Sequence, residues 1–98
     1  MDVIFAVMIR GRVQGIGYRA WAEVAALELG VEGWVRNRRD GSVEAVFMGE
    51  EAAVVDMIEA CRRGPYSARV DVLHQRGGSE GDLKPRAPGD VFSVLPTA

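Results

Sequence analysis

A glycine-rich segment ending in an arginine is the first part of the chain that could do chemistry. It reads Gly11-Arg12-Val13-Gln14-Gly15-Ile16-Gly17-Tyr18-Arg19 and joins a predicted strand to a predicted helix. Glycines at such a junction let main-chain N–H groups point at one spot, and the helix dipole adds positive potential there. Arg19, in the first helical turn, could direct two donors at the same anion. The segment therefore predicts an anion-binding loop, although a purely structural turn is the alternative.

The residue types absent from this region limit its chemistry. Residues 1–41 contain no Ser, Thr, Cys, His or Lys, so the loop lacks the common nucleophiles and every common base except carboxylates. No cluster of metal-ligating residues is visible in the sequence. Ala20 stands where a dinucleotide-binding fingerprint has its third glycine, and no Lys-Ser or Lys-Thr pair of a nucleotide-binding loop follows. Any reaction here is expected to be attack of water on an already activated phosphate compound.

A second segment, Gly33 to Glu44, contains an asparagine at a position that could serve the same site. Asn37 ends the second predicted strand, near the end of the sheet that carries the glycine-rich loop. A side-chain amide both donates and accepts hydrogen bonds, so Asn37 could hold a water molecule and also touch a ligand. The alternative is that Asn37 only begins the turn that follows.

The two segments together, at this separation, closely resemble the acylphosphatase family. Weaker matches to later parts of the family follow at Gly64-Pro65, Ala68-Arg69-Val70 and Phe92-Ser93-Val94. The resemblance covers most of residues 4–76, whereas residues 76–90 are longer than the family pattern. It implies an enzyme that hydrolyses carboxyl–phosphate anhydrides to a carboxylate and inorganic phosphate. It also implies that no metal or cofactor is needed and that the partner is a small acyl phosphate.

The same resemblance assigns roles to individual residues. Arg19 matches the phosphate-binding arginine of the family, and Asn37 matches the asparagine that orients the attacking water. The main-chain amides of the loop are expected to hold the phosphate oxygens together with Arg19; these are Val13, Gln14, Gly15, Ile16, Gly17 and Tyr18. The sequence does not mark the physiological acyl group.

The hydrophobic pattern predicts the elements that must position these residues. Strands are expected at 3–9, 34–38, 42–48, 68–75 and 91–95, and helices at 18–29 and 50–63. This order is the ferredoxin-like βαββαβ arrangement with a short C-terminal strand, an α+β sandwich with both helices on one face of a mainly antiparallel sheet. Residues 1–98 are expected to form a single domain. The first strand is apolar on both faces, so its second face needs cover from the 77–90 loop or from a partner.

Four other residues of interest have ordinary structural interpretations. His74 is expected at a strand edge and Cys61 in the core of the second helix, and Trp21 and Trp34 are expected to pack.

Composition limits the remaining possibilities. The chain has 98 residues, one cysteine and a net charge of −2, with no long apolar run and no secretion signal. A cytoplasmic, monomeric enzyme without membrane or nucleic-acid partners is expected. Residues 10–39 nevertheless hold six arginines and three glutamates, a local positive field suited to a small anion. A non-catalytic βαββαβ module of the RNA-recognition or ligand-sensing type is the alternative, but strand 42–48 lacks the RNA-binding signature.

Overall fold

Five strands and two helices make up the chain in the computed structural model, which describes residues 1–98. In chain order they are β1 (Asp2–Arg12), α1 (Tyr18–Leu29), β2 (Glu32–Asn37), β3 (Val43–Glu50), α2 (Glu51–Arg63), β4 (Arg69–Gly77) and β5 (Phe92–Leu95). A 3₁₀ turn at Glu80–Leu83 interrupts the long connection before β5. The predicted order of elements is confirmed. No helix is both long enough and apolar enough to cross a membrane.

The strands form one mixed sheet in the order β4-β1-β3-β2-β5. Every neighbouring pair is antiparallel except β2 and β5, which run parallel, with Gly33 opposite Phe92 and Arg36 opposite Leu95. This is the ferredoxin-like α+β fold with an added edge strand, as the sequence predicts. Because β3 lies between β1 and β2, the loop after β1 and the end of β2 belong to strands that are not neighbours.

The main core lies between the sheet and the two helices. Helix α2 buries Val54, Met57 and Ile58 together with Cys61, which was expected in the core. Helix α1 instead packs closely through Ala22 and Ala26, one turn apart on the same face. Trp21, which was expected to pack, and Leu29 are only partly buried at the flanks of this contact.

The opposite face of the sheet carries a smaller apolar cluster. Ala6, Trp34 and Val46 are buried there, with Leu83 of the 3₁₀ turn packed against them. The indole Nε1 of Trp34 donates a hydrogen bond of 2.7 Å to the carbonyl of Asp82. The connection between β4 and β5 therefore covers the second apolar face of β1, which was one of the two expected solutions.

Strand β1 is longer than its apolar run. Gly11 and Arg12 were predicted to lie in the loop but belong to the strand, because β4 continues to pair with them beyond an irregularity between Arg10 and Gly11. The glycine-rich loop proper therefore begins at Val13.

Candidate active site

The loop between β1 and α1 presents a series of unpaired main-chain donors. None of the N–H groups from Val13 to Ala20 makes a hydrogen bond within the protein. Gly15 and Gly17 have φ angles of 75° and 81°, in the left-handed region that other residues rarely adopt. These two glycines let the chain bend sharply from β1 into α1 while the main-chain N–H groups of the loop remain free.

The N terminus of α1 adds an uncompensated positive potential to the loop. Its capping residue is Gly17, which has no side chain to accept from the first N–H groups, and no acidic residue lies in the first turn. The partial positive charge of the helix dipole is therefore available to an external anion.

Arg19 projects from this first turn without a carboxylate partner. Its Nη1 donates a hydrogen bond of 3.0 Å to the carbonyl of Leu95 in β5, and no ion pair includes it. A guanidinium has five N–H donors, so most of them remain free. By contrast, three of the clustered arginines are paired with carboxylates, namely Arg10 with Asp40 and both Arg36 and Arg38 with Glu44.

Asn37 is the last residue of β2, and its main chain is held on both sides. It lies opposite Val43 in the β2–β3 ladder, and its carbonyl accepts a hydrogen bond of 3.0 Å from the main-chain N–H of Ala98. Its half-buried side-chain amide makes no hydrogen bond within the protein. The backbone is fixed while the amide stays available to a ligand or to water.

These groups line one pocket of about 370 Å³ between the start of α1, the end of β2 and β5. Most of the residues that line it were predicted from the sequence, and these are Val13, Gln14, Gly15, Gly17, Tyr18, Arg19 and Asn37. Ile16 was predicted with them but does not line the pocket, because its side chain packs against the main core.

Three further residues of the pocket wall were not found from the sequence: Ala20, Val94 and Leu95. Ala20 directly follows Arg19 in the first turn of α1, a position that could have indicated its place. Val94 and Leu95 reach the pocket only because β5 pairs with β2, and no local sequence signal shows that pairing.

Tyr18, which lines the pocket, and Cys61, which it contacts, stay uncharged near neutral pH. Burial, with a smaller contribution from Cys61, raises the pKa of Tyr18 above its usual range. The Tyr18 hydroxyl donates a hydrogen bond of 2.7 Å to the carbonyl of Cys61 in the last turn of α2. Burial also raises the pKa of the Cys61 thiol to about 12. Cys61 is fully buried and is a core residue, as expected.

No residue set in the structure is arranged to hold a metal ion. Three or more His, Cys, Asp or Glu side chains do not come together anywhere in the chain. The pocket can offer main-chain N–H groups, the guanidinium of Arg19 and the side-chain amide of Asn37, which together suit an anion and a water molecule.

Comparisons with known proteins match this chain to the acylphosphatase family. A profile of the acylphosphatase family matches residues 5–83. An acylphosphatase from Bradyrhizobium diazoefficiens is 57% identical over 94 residues, which cover 96% of this chain and 95% of that protein. An acylphosphatase from Rhodopseudomonas palustris is 56% identical, over 97% of this chain and 96% of that protein.

A solved acylphosphatase structure has the same fold at lower sequence identity. The acylphosphatase of Coxiella burnetii superimposes with a TM-score of 0.83 at 28% identity, covering 96% of this chain and 93% of that one. From the profile match and the extensive identity to these relatives, the chain belongs to the acylphosphatase family.

Proposed function

We propose that the pocket between the N terminus of α1, the end of β2 and β5 is where this protein hydrolyses its substrate by direct attack of water. The protein is an acylphosphatase, so the substrate is an acyl phosphate and the products are a carboxylate and inorganic phosphate. One observation carries the assignment of the site. A half-buried arginine without a carboxylate and a half-buried amide without a protein partner line the same pocket.

The phosphoryl group would lie in the glycine-rich loop. Its oxygens would accept from the free N–H groups between Val13 and Arg19, and the free donors of Arg19 would bind it from the side of the helix. The hydrogen bond from Arg19 to Leu95 supports this placement, because it holds the guanidinium at the pocket wall before any ligand arrives.

Asn37 would place the attacking water. One group of its amide can hold the water while the other contacts the phosphate. The water oxygen forms a bond to phosphorus, and the phosphorus–oxygen bond to the acyl group breaks with its electron pair leaving on the carboxylate. The proton lost by the water goes to an oxygen of the substrate's own phosphate. The free amide of Asn37 in the pocket supports this role.

The residues of the pocket support attack by water over a covalent intermediate on the protein. No side chain that lines it is a serine, threonine, cysteine, histidine or lysine, and the hydroxyl of Tyr18 is used by the carbonyl of Cys61. An acyl phosphate has a good leaving group, so positioning and charge stabilisation are sufficient. The reaction as proposed uses no cofactor and no metal.

Phosphate release from an acyl phosphate, compared with a phosphate monoester, tests this proposal. We expect turnover of the anhydride alone and no change in EDTA. Asn37→Ala should lower kcat by roughly 10²-fold, while inhibition by inorganic phosphate changes little. Asn37→Asp should be no better, because it adds a negative charge facing the dianion. If Asn37→Gly keeps normal turnover, Asn37 only shapes the turn and the proposed role is wrong.

We further propose that residues 1–98 work as a single-domain monomer in the cytoplasm, without a nucleic-acid partner. The single cysteine is free and buried, which supports a reducing compartment, and the net charge of −2 does not favour a nucleic-acid partner. Sedimentation across a range of concentrations and a gel-shift assay at low salt test this. A dimer at working concentration or a salt-sensitive shift would contradict it.

A further inference from the structure

The side chain of Gln14 connects the glycine-rich loop directly to the turn that follows Asn37. Its Nε2 donates one hydrogen bond of 2.7 Å to the carbonyl of Arg38 and a second of 2.8 Å to the carbonyl of Ser42. Both protons of the amide are therefore used, and both bonds go to the two ends of the same tight turn. The side chain is not directed at the anion site, although the main-chain N–H of Gln14 is free to serve it.

The same two carbonyls also close the turn itself. The main-chain N–H of Arg38 donates to the carbonyl of Ser42 at 2.8 Å, and that of Gly41 donates to the carbonyl of Arg38 at 3.1 Å. Gln14 thus binds the turn at the point that fixes its shape. Arg38 directly follows Asn37, so a shift of this turn would move Asn37.

The sheet alone does not provide such a direct connection. The loop follows β1 and Asn37 ends β2, and β3 lies between these strands. The ion pair between Arg10 and Asp40 also links β1 to the turn, at 3.2 Å. Its side chains are 49% and 53% exposed, and ion pairs this exposed contribute little. Gln14 is half-buried, so water competes less for its bonds.

We propose that Gln14 is a positioning residue that sets the distance between Asn37 and the phosphate held in the loop. It acts through the carbonyls of Arg38 and Ser42 and does not itself contact the attacking water. The inference rests on the proposed function of Asn37. Loss of the Gln14 side-chain amide should therefore impair the step in which water attacks, while the binding of phosphate by the loop is retained.

Steady-state kinetics of Gln14→Met tests this, because methionine keeps the length of the side chain without its donors. We expect kcat to fall by about tenfold, since small displacements of a catalytic group are costly. The inhibition constant for inorganic phosphate should change by less than about twofold. Gln75→Met is the matched control, because the only other glutamine is exposed on β4 and should keep the wild-type kcat. An equal loss of kcat and of phosphate affinity in Gln14→Met would overturn the proposal.

The combination of Gln14→Met with Asn37→Ala separates positioning from a general effect on stability. If Gln14 acts through Asn37, the double variant should have the same kcat as Asn37→Ala alone. Losses that simply multiply would overturn the proposal. If Gln14→Met does not fold, the same comparison of single and double variants is made with Gln14→Asn, because its shorter side chain cannot reach both carbonyls.

The roles proposed for Asn37 and for Gln14 can be rejected independently. If Asn37→Ala has normal turnover, the proposed role of Asn37 is wrong and this inference falls with it. If Asn37→Ala is impaired while Gln14→Met has normal kcat, only the role of Gln14 is wrong.

Discussion

At the scale of single residues, the pocket is characterised by the arrangement of its hydrogen-bond donors. These are main-chain N–H groups, the side-chain amide of Asn37 and the guanidinium of Arg19, which is the only charged side chain among the residues that line the pocket. Binding strength therefore depends on geometry, and two side chains of equal charge are not equivalent here. The arginine at position 19 illustrates this.

Arg19→Lys keeps the positive charge but should not keep the activity. A planar guanidinium can donate to the carbonyl of Leu95 and to two phosphate oxygens at the same time, whereas the ammonium of lysine cannot. We expect kcat/KM for an acyl phosphate to fall by roughly 10²-fold, with binding and turnover both affected. Arg12→Lys is the control, because Arg12 is exposed, lacks an ion pair and does not line the pocket. Equal losses in both variants would mean that only the general positive field matters.

Tyr18→Phe should lower stability through a contact outside the pocket. The variant removes the hydroxyl that satisfies the carbonyl of Cys61, one of the C-terminal carbonyls of α2 that lack partners within the helix. We expect the free energy of unfolding in urea to fall by about 1–3 kcal/mol. Tyr66→Phe is the matched control, since the only other tyrosine is fully exposed and should change nothing. If both variants are equally stable, the buried hydrogen bond makes no net contribution.

At the scale of elements, the turn between β2 and β3 is stabilised by its own aspartate. The carboxylate of Asp40 accepts from the main-chain N–H of Ser42 at 2.9 Å and from its hydroxyl at 2.6 Å. These bonds, with Arg10 nearby, lower the pKa of Asp40 to about 2. The ionised form therefore favours the folded state, and this turn is the one that Gln14 holds.

Stability should consequently fall as the pH is lowered through the acid range. The pKa of Asp40 is lower in the folded chain than in the unfolded chain, where it is about 3.9. Its stabilising contribution is complete above the unfolded pKa and is lost as the pH falls towards 2. In Asp40→Asn, whose amide oxygen can still accept from Ser42, unfolding in urea should depend less steeply on pH between about 5 and 2. An unchanged pH dependence would contradict this assignment.

The elements also show which parts of the fold a sequence can predict. Helix α2 was predicted at 50–63 and lies at Glu51–Arg63, because its apolar pattern and the Gly64-Pro65 pair that follows it are local signals. Gly11 and Arg12 were assigned wrongly to the loop, because their strand conformation depends on pairing with β4 far along the chain. Strand β5 was predicted, but its place in the sheet was not, since parallel pairing with β2 has no local sequence signature.

The same contrast between local signals and long-range contacts applies to the residues of the candidate site. Arg19 and Asn37 lie in short motifs, and the resemblance of these motifs to the acylphosphatase family predicts that they act on phosphate and water. The side-chain role of Gln14 depends on carbonyls 24 and 28 residues away, and Leu95 is 76 residues from Arg19. Such contacts exist only once the sheet order is known.

At the scale of the whole molecule, ligand binding should be measurable as an increase in the stability of the folded chain. A ligand that binds only the folded chain stabilises it, by about 2.7 kcal/mol at a concentration one hundred times its Kd. We therefore expect inorganic phosphate to raise the Tm of the wild type progressively. Arg19→Ala should lose most of this increase, while Arg12→Ala should keep it. The same increase in all three proteins would place the bound anion elsewhere.

The hydrogen bond between Arg19 and Leu95 means that the pocket is completed late in the synthesis of the chain. The ribosome makes the arginine early and makes the carbonyl that fixes its side chain 76 residues later. Until β5 has left the ribosome and paired with β2, a nascent chain has its glycine-rich loop but not the full wall of its pocket. If this pocket binds phosphate as proposed, we expect a chain terminated before residue 92 to bind it more weakly than the full chain, because the carbonyl that holds Arg19 is missing.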